Sequence, residues 1–213
     1  MDIKSYFEML EKGFKEAYDV ASEAKAVGFD PRAYVEIKAA PDLAGKVEAL
    51  IGVKGLAELI TRNQKGISRR ELIFRIIKEI CTNEAFSGYE TIKRIELAVK
   101  VALAMETEGV LVAPTEGIQG IGHYRNPDGS DYISVFYAGP IRSAGGTAVA
   151  LSVAFADCAR KFFNIGDYKA TQNEVERYVE ELEIYHERVV NLQYKPSADD
   201  LRTIVSNCPV CVE

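Results

Sequence analysis

Residues 136–147 read Phe136-Tyr137-Ala138-Gly139-Pro140-Ile141-Arg142-Ser143-Ala144-Gly145-Gly146-Thr147, and the rest of the chain is arranged around them. A strand-like run at residues 132–137 leads into this stretch, and an almost wholly apolar run at residues 148–163 follows, long enough for about four turns of helix. We therefore predict a strand, a glycine-rich bend (residues 139–147) and a buried helix. The glycines of the bend would permit positive φ angles and close approach of the backbone.

The bend has two interpretations. In the first, free backbone N–H groups at a helix start attract an anion, and the guanidinium of Arg142 suits phosphate or carboxylate. The contacts to phosphate or DNA would then come from Arg142, Ser143, Gly145, Gly146 and Thr147, while Tyr137, Gly139 and Pro140 shape the bend. The motif is not a Walker A loop, because Thr147 stands where that loop has its lysine, and it is not G-x-G-x-x-G. In the second interpretation, the glycines let the strand pack tightly on the helix, and Arg142 satisfies buried carbonyls or a carboxylate.

The composition is that of an ordinary globular protein. The 213 residues are 47% hydrophobic and 27% charged, enough for one core or a core plus a small helical module. The formal net charge is −6, opposite in sign to that of a typical stand-alone nucleic-acid binder, so we expect a local basic patch or a protein partner instead. No apolar run would span a bilayer, and Asp2 and Lys4 stand where a signal peptide would be apolar. These features predict a cytoplasmic protein without a membrane partner.

The cysteines and histidines give little support for a metal or catalytic site. Cys208 and Cys211 have the spacing of half a zinc site, but only His123 and His186 are present as histidine ligands. A simpler interpretation of Cys208 and Cys211 is that they lie at the start of a strand and bind no metal. The many glutamates of residues 174–187 are read as an exposed acidic helix face rather than as metal ligands. We therefore predict no metal site and no catalytic residue in this chain.

The first predicted helix covers residues 2–27, because apolar residues recur there with helical spacing and charged residues fill the other face. Gly28 ends it, so residues 1–28 are treated as a separate segment. Its apolar stripe packs either on its own domain or against another chain. In the second case the assembly residues are Tyr6, Phe7, Leu10, Phe14 and Tyr18.

Residues 29–66 are predicted as a short helical module, with two helices around Gly52-Val-Lys-Gly55. This turn superficially resembles a DNA-binding helix-hairpin-helix turn, but its glycines are one residue too far apart, which leaves a plain helical hairpin as the alternative. Ser68 and Glu71 form a capping box that starts the next helix. The polar face of that helix is the chain's densest basic cluster, and it is either solvated or in contact with phosphate. Its members are Arg69, Arg70, Arg75 and Lys78.

Residues 67–213 are predicted as the main domain, with a helix at residues 87–108, short strands over residues 110–137 and a further helix from a second capping box at Thr171. Residues 126–129, Asn-Pro-Asp-Gly, are predicted as a type I turn between two of these strands. The apolar helix after the bend should be the centre of the core. Its inward side chains would be Leu151, Phe155, Cys158 and Phe162. The predicted fold class is α+β and predominantly helical: a helical N-terminal module plus a helical core packed on a small antiparallel sheet.

Three stretches carry a family resemblance: residues 137–147, the run Arg177-Tyr-Val-Glu-Glu181 and the run Asn191-Leu-Gln-Tyr194. Together they resemble the N-terminal region of the large subunit of the archaeal D-family DNA polymerase. The resemblance covers the whole chain and is strongest from Glu108 onward. Because the family's large subunit is far longer, we expect the sequence to be an N-terminal portion, truncated at its C-terminal end.

The resemblance implies a DNA-directed DNA polymerase whose catalytic carboxylates lie far downstream and have no counterpart in this sequence. The intact enzyme would use Mg²⁺ and primer-template DNA, and a small subunit with proofreading 3'-5' exonuclease activity would be its partner. This chain alone would be inactive, would hold no cofactor, and would scaffold the catalytic core and subunit assembly, with self-association through the first helix as one form of assembly. The alternative is a self-contained nucleotide- or phosphate-binding domain that uses the bend at residues 139–147.

Overall fold

The computed structural model describes residues 2–29, 40, 42–108, 116–189, 191 and 194–213, apart from the side chain of Ser143. The chain forms two compact units, residues 1–38 and residues 39–213. The domain limits predicted at 28/29 and 66/67 stay predictions. The strand predicted at residues 110–113 lies outside the described residues.

The first unit contains one long helix, α1 (Ile3–Ala26). The side chain of Asp2 caps it by accepting a hydrogen bond from the Ser5 amide at 2.9 Å. The helix ends before Gly28, whose φ of +82° is unfavourable for residues with a side chain. None of the residues of α1 is buried. The helix predicted at residues 2–27 is therefore confirmed.

The second unit is mainly helical. Its helices are α2 (Leu43–Ile51), α3 (Leu56–Asn63), α4 (Arg69–Thr82), α5 (Thr91–Glu106), α6 (Gly146–Lys161), α7 (Gln172–Arg188) and α8 (Ala198–Asn207), with short 3-10 helices at Glu84–Phe86 and Gly139–Ala144. The capping boxes predicted at Ser68 and Thr171 both form, and a third starts α8 at Ser197. The local signals at Ser68 and Thr171 therefore place two helix starts correctly.

The sheet has three strands in the order β1 (Ile118–Arg125), β2 (Asp131–Tyr137) and β3 (Cys211–Val212). Strands β1 and β2 form an antiparallel hairpin with a bulge near Ile118, as predicted. Strand β3 pairs with β2 in parallel, with Ser134 opposite Cys211. The predicted fold class, a predominantly helical α+β protein, is confirmed, and so is the antiparallel pairing of the two predicted strands. The parallel pairing of β3 was not predicted. The physical reason for this pairing is that α6, α7 and α8 form a crossover between β2 and β3, which returns the chain in the same direction.

The centre of the core is α5 rather than α6. Ten of the 16 residues of α5 are buried, because α5 packs against α2, α4, α6 and β1. In α6, Phe155 is buried, but Leu151 and Cys158 are only half-buried and Phe162 is exposed. The prediction of α6 as the central helix therefore needs correction: α6 packs on α4, α5 and β2, and its remaining side meets solvent.

A buried asparagine joins the β1–β2 hairpin to the segment after α6. The side chain of Asn126 donates to the Asp167 carbonyl at 2.8 Å and accepts from the Lys169 amide at 2.9 Å. The Asn126 carbonyl also accepts from the Gly129 amide at 2.9 Å, which closes the predicted four-residue turn. The turn of the hairpin is thus fixed to the rest of the second unit.

Candidate functional site

The bend has the predicted order of strand, turn and helix. Strand β2 ends at Tyr137, a 3-10 helix covers Gly139–Ala144, and α6 starts at Gly146. Gly145 joins the two helices with φ +79° and ψ 154°, a conformation that is essentially restricted to glycine. Gly139 and Gly146 do not have a positive φ angle. Of the three glycines, Gly145 alone therefore needs the conformational freedom that we had expected for all three.

The start of the bend is fastened to α6. Ile141 is buried, and the Tyr137 hydroxyl lies 2.6 Å from Oγ of the fully buried Ser152. Because the Ser152 hydroxyl donates to the Val149 carbonyl at 2.6 Å, the Tyr137 hydroxyl is the donor in their mutual hydrogen bond. Burial raises the pKa of Tyr137 above its usual value. The bend is therefore a supported corner between sheet and helix.

The end of the bend is open to solvent. Gly145, Gly146 and Thr147 are exposed, and no side chain caps the start of α6. A methyl group built on Gly139, Gly145 or Gly146 would meet no atom within 4 Å. The interpretation that these glycines permit tight strand–helix packing is therefore wrong. The uncapped N–H groups at the start of α6 are the ones that an anion would use.

Arg142 lies on the exposed side of the bend. Its guanidinium carbon is 5.8 Å from the centre of the Tyr185 ring of α7, which is a cation–π contact. The interpretation that Arg142 satisfies a buried carbonyl or carboxylate stays a prediction. Pro140 opens the 3-10 helix, and the side chain of Ser143 lies outside the described part of the chain.

A mainly apolar groove adjoins the bend. Arg142 and Glu213 are its charged residues, and the start of α6 forms one end of it. Its apolar walls come from Tyr137, Ile141, Val149, Ala150, Val153 and Val212. The site therefore combines amide and guanidinium donors suited to an anion with a surface suited to apolar groups.

The predicted assembly residues lie along α1 in the first unit. Tyr6, Phe7 and Phe14 are 45%, 58% and 63% exposed, and Leu10 and Tyr18 are half-buried. Single exposed hydrophobic residues are common, but a stripe of them along one helix is typical of an interaction surface. The helix itself is stabilised by caps and by two ion pairs with i,i+4 spacing on its polar side, Lys4–Glu8 and Lys12–Glu16.

In the helical hairpin formed by α2 and α3, a carboxylate of α2 accepts hydrogen bonds from the amides at the start of α3. Gly52 and Gly55 both have positive φ angles, and Glu48 accepts hydrogen bonds at 2.9 Å from the amides of Gly55 and Ala57. These amides form the start of α3, where a DNA-binding hairpin would offer N–H groups to phosphate. Glu48 therefore occupies that position, which favours the plain helical hairpin over a DNA contact.

The described residues give no cluster suited to a metal ion: no three His, Cys, Asp or Glu side chains among them are grouped for coordination. Cys211 is buried in β3, and Sγ of Cys208 lies 3.1 Å from the Val210 carbonyl oxygen. Glu180 and Glu183 are exposed on α7. No described helix is long and apolar enough to cross a membrane.

Sequence reasoning missed a buried cation at the end of α6. Arg160 is 3% exposed, donates to the Ile165 carbonyl at 2.6 Å and pairs with Asp157 and Asp167. These bonds hold the turn after α6 against the helix. The only signal in the sequence is a basic residue in the last turn of an apolar helix, where cations are common for electrostatic reasons alone.

The comparisons with known proteins agree over the whole chain. A family model described as DNA polymerase II large subunit DP2, N-terminal, matches residues 5–213. The DNA polymerase II large subunit of Methanococcoides burtonii is 46% identical over 212 residues, covering 100% of this chain and 18% of the relative. That of Methanocorpusculum labreanum is 45% identical over 215 residues, covering 99% and 18%, respectively.

A relative with lower sequence identity also matches over the full length of this chain. The DNA polymerase II large subunit of Thermoplasma acidophilum is 41% identical over 212 residues, covering 100% of this chain and 19% of the relative. The chain thus spans about a fifth of the length of the curated relatives that it matches. With a family model matched from residue 5 to residue 213 and relatives more than 40% identical, the chain belongs to the family of DNA polymerase II large subunits, as their N-terminal region.

Proposed function

We propose that this chain is the non-catalytic N-terminal region of the large subunit of an archaeal replicative DNA polymerase of the D family. The intact protein would be a cytoplasmic DNA-directed DNA polymerase that scaffolds its catalytic core and its subunit assembly through this region. The observation that carries the proposal is the match to polymerase large subunits over residues 5–213. The archaeal origin of the relatives fits the same assignment.

The chemistry of the proposed enzyme belongs to other parts of the protein. Templated nucleotidyl transfer requires carboxylates that hold divalent metal ions such as Mg²⁺. The acidic side chains of α7, such as Glu180 and Glu183, are spread over an exposed helix face rather than gathered around a cavity. In this proposal residues 1–213 position other domains, and they bind no cofactor of their own.

Primer extension by the full-length protein tests the assignment. The protein, purified with the small proofreading subunit that we propose as its partner, is given primed template, nucleotides and Mg²⁺. We expect templated extension that stops when the metal is chelated and resumes when it is restored. If the full-length protein incorporates no nucleotide under any of these conditions, the assignment as a polymerase fails.

A contact between the bend and the DNA backbone is a finer part of the proposal. It is supported by the exposed amides at the start of α6 and by Arg142, which the Tyr185 ring holds on the same exposed side. Phosphate oxygens accept hydrogen bonds from both kinds of donor. The contact residues would be Arg142, Ser143, Gly145, Gly146 and Thr147.

The alternative, a self-contained nucleotide- or phosphate-binding domain, has less support. The groove beside the bend is mainly apolar, and Arg142 is its single cation among the described lining residues. A triphosphate needs more positive charge than one guanidinium offers. Titration of the chain with labelled nucleotide tests this alternative, and saturable binding at micromolar concentration would favour it.

A further inference from the structure

The exposed face of α4 differs from the other charged surfaces of the second unit. One side of this helix is buried in the core, and the opposite side carries Arg70, Phe74, Arg75 and Lys78, all of them exposed. Arg70, Phe74 and Lys78 follow one another at four-residue spacing, so they form a line about 12 Å long along the helix. We call these four residues the α4 face.

The described residues supply no ion-pair partner for the positive charges of the α4 face. The neighbouring Arg69 pairs with Glu108 at 3.0 Å, and Arg62 pairs with Glu79 at 3.6 Å. Within the described part of the chain, no ion pair involves Arg70, Arg75 or Lys78. Three exposed cations elsewhere in the second unit do have partners: Arg125 with Asp131, Lys161 with Asp157, and Lys169 with Asp128.

Helix α4 also carries two carboxylates near these cations, Glu71 four residues before Arg75 and Glu79 four residues after it. Glu79 pairs with Arg62, and Glu71 has a role of its own. Glu71 accepts hydrogen bonds from the Ser68 amide at 2.9 Å and the Ser68 hydroxyl at 2.8 Å. These hydrogen bonds, and after them the charge of Arg75, keep the pKa of Glu71 below its usual value. Glu71 is therefore committed to capping the helix and Glu79 is paired with Arg62, so the three cations of the α4 face leave this surface positive in a chain whose net charge is −6.

Phe74 adds an aromatic group between the cations. Its ring packs edge-to-face on Phe155 of α6, with ring centres 5.6 Å apart, and 39% of the residue remains exposed. The core thus holds the ring from one side while solvent reaches the other parts. Cations that follow a phosphate backbone, combined with an aromatic ring on which a base stacks, are the usual elements of a single-strand binding surface.

We propose that the α4 face binds single-stranded DNA. Arg70, Arg75 and Lys78 contact phosphates, and Phe74 stacks against an unpaired base. This inference rests on the proposed function, because a polymerase has an unpaired template strand to hold. It concerns a surface separate from the bend, on a different helix.

The salt dependence of binding to the intact polymerase tests the charges. The variant Arg70→Gln/Arg75→Gln/Lys78→Gln is titrated against labelled oligothymidylate at several salt concentrations. Each lost phosphate contact on a single strand lowers the slope of log K against log salt by about 0.7, so we expect a decrease of about 2. The matched control is Arg125→Gln/Lys161→Gln/Lys169→Gln, which removes the same formal charge from cations that carboxylates already compensate. We expect the control to keep the original slope.

A second variant tests the aromatic ring. Phe74→Leu keeps an apolar side chain against Phe155 but removes the stacking surface. We expect binding of oligothymidylate to weaken about 5- to 150-fold, the range for loss of one stacked base, with the slope unchanged. The melting temperature of the variant shows whether the fold is retained.

Three results would overturn the inference: an unchanged slope in the α4 variant, an equal decrease in the control, or full affinity in a folded Phe74→Leu variant. If the α4 variant instead loses a protein subunit while its slope for DNA stays the same, the face binds an acidic protein segment, and the DNA proposal is refuted. Primer extension by the unsubstituted enzyme distinguishes a failure of the α4 inference from a failure of the proposed function. Extension with an unchanged slope refutes only the α4 inference, whereas no extension refutes the proposed function.

Discussion

At the scale of single residues, two side chains and one glycine shape the bend. Tyr137 donates to Ser152, Ile141 is buried, and Gly145 turns the backbone between the 3-10 helix and α6. The exposed residues that follow are free of packing constraints, since substituents on Gly145 and Gly146 would point into open space. The two glycines therefore differ only in backbone conformation, which makes them a matched pair.

Alanine substitutions at these two glycines should show how much stability depends on backbone conformation, because neither new methyl group would meet a packed neighbour. Gly145→Ala forces a residue with a side chain to adopt φ +79° and ψ 154°, so we expect the free energy of unfolding to fall by about 1–3 kcal/mol. Gly146→Ala lies in helical backbone and should change it by less than about 1 kcal/mol, in the stabilising direction. Denaturant unfolding measures both values. Equal losses in the two variants would contradict the role given to Gly145.

The DNA contact proposed for Arg142 is a second prediction at this scale. Arg142→Ala in the intact enzyme should weaken primer-template binding and lower the salt slope by about one unit, as for one lost phosphate contact. Arg177→Ala is the control, because Arg177 is another exposed arginine that lies over a tyrosine ring, at 5.1 Å from Tyr178. If both variants leave the slope unchanged, Arg142 has only a structural role.

At the scale of elements, one exposed surface matters for assembly and one contact between elements matters for stability. Helix α1 exposes an aromatic stripe in the first unit. In the second unit, α7 holds the edge strand β3, because the Tyr178 hydroxyl donates to the Val212 carbonyl at 2.5 Å. That bond satisfies a carbonyl on the edge strand that would otherwise be available to another chain.

The stripe on α1 should be needed for assembly. In the full-length protein, Phe7→Ser/Phe14→Ser removes the two most exposed of the predicted assembly aromatics, so we expect loss of the partner subunit or of self-association. Glu11→Ser/Lys15→Ser changes exposed charged residues on the same helix and should leave assembly intact. Sedimentation velocity gives the mass of each complex. An unchanged mass for the phenylalanine variant would remove the assembly role of α1.

The hydrogen bond from Tyr178 of α7 to Val212 of β3 should affect how the free energy of unfolding depends on pH in alkaline solution. Burial raises the pKa of Tyr178 to about 12, against 10.0 for an unperturbed tyrosine. Between these values the unfolded chain loses the proton while the folded chain keeps it, so stability falls as the pH rises from 10 to 12. In Tyr178→Phe this fall should be smaller. Unfolding free energies at pH 9 to 12 provide the test, and identical pH profiles would show that Tyr178 does not contribute.

At the scale of the whole molecule, sequence reasoning recovered what local signals determine. The capping boxes at Ser68 and Thr171, the turn after Asn126 and the strand–bend–helix order are all local, and all form. The parallel pairing of β3 and the central position of α5 depend on distant parts of the chain. No nearby residue signals them, so the parallel third strand was missed and the prediction of α6 as the central helix was wrong.

The same distinction applies to the candidate site. The position of the bend was predictable from its glycines and from the flanking apolar runs. The Tyr185 ring under Arg142 and the Glu48 carboxylate at the start of α3 were not, because each comes from another element and only the fold brings it near. The contacts of Arg160 with Asp167 and Ile165 likewise require the turn after α6 to be in place.

We propose that residues 1–213 support a polymerase without performing its chemistry. Nucleotide incorporation by this chain alone, on primed template with Mg²⁺ and at concentrations at which the full-length enzyme extends the primer, tests it most directly. We expect no incorporation above background. Incorporation that increases with the concentration of the chain and persists through repurification would contradict it.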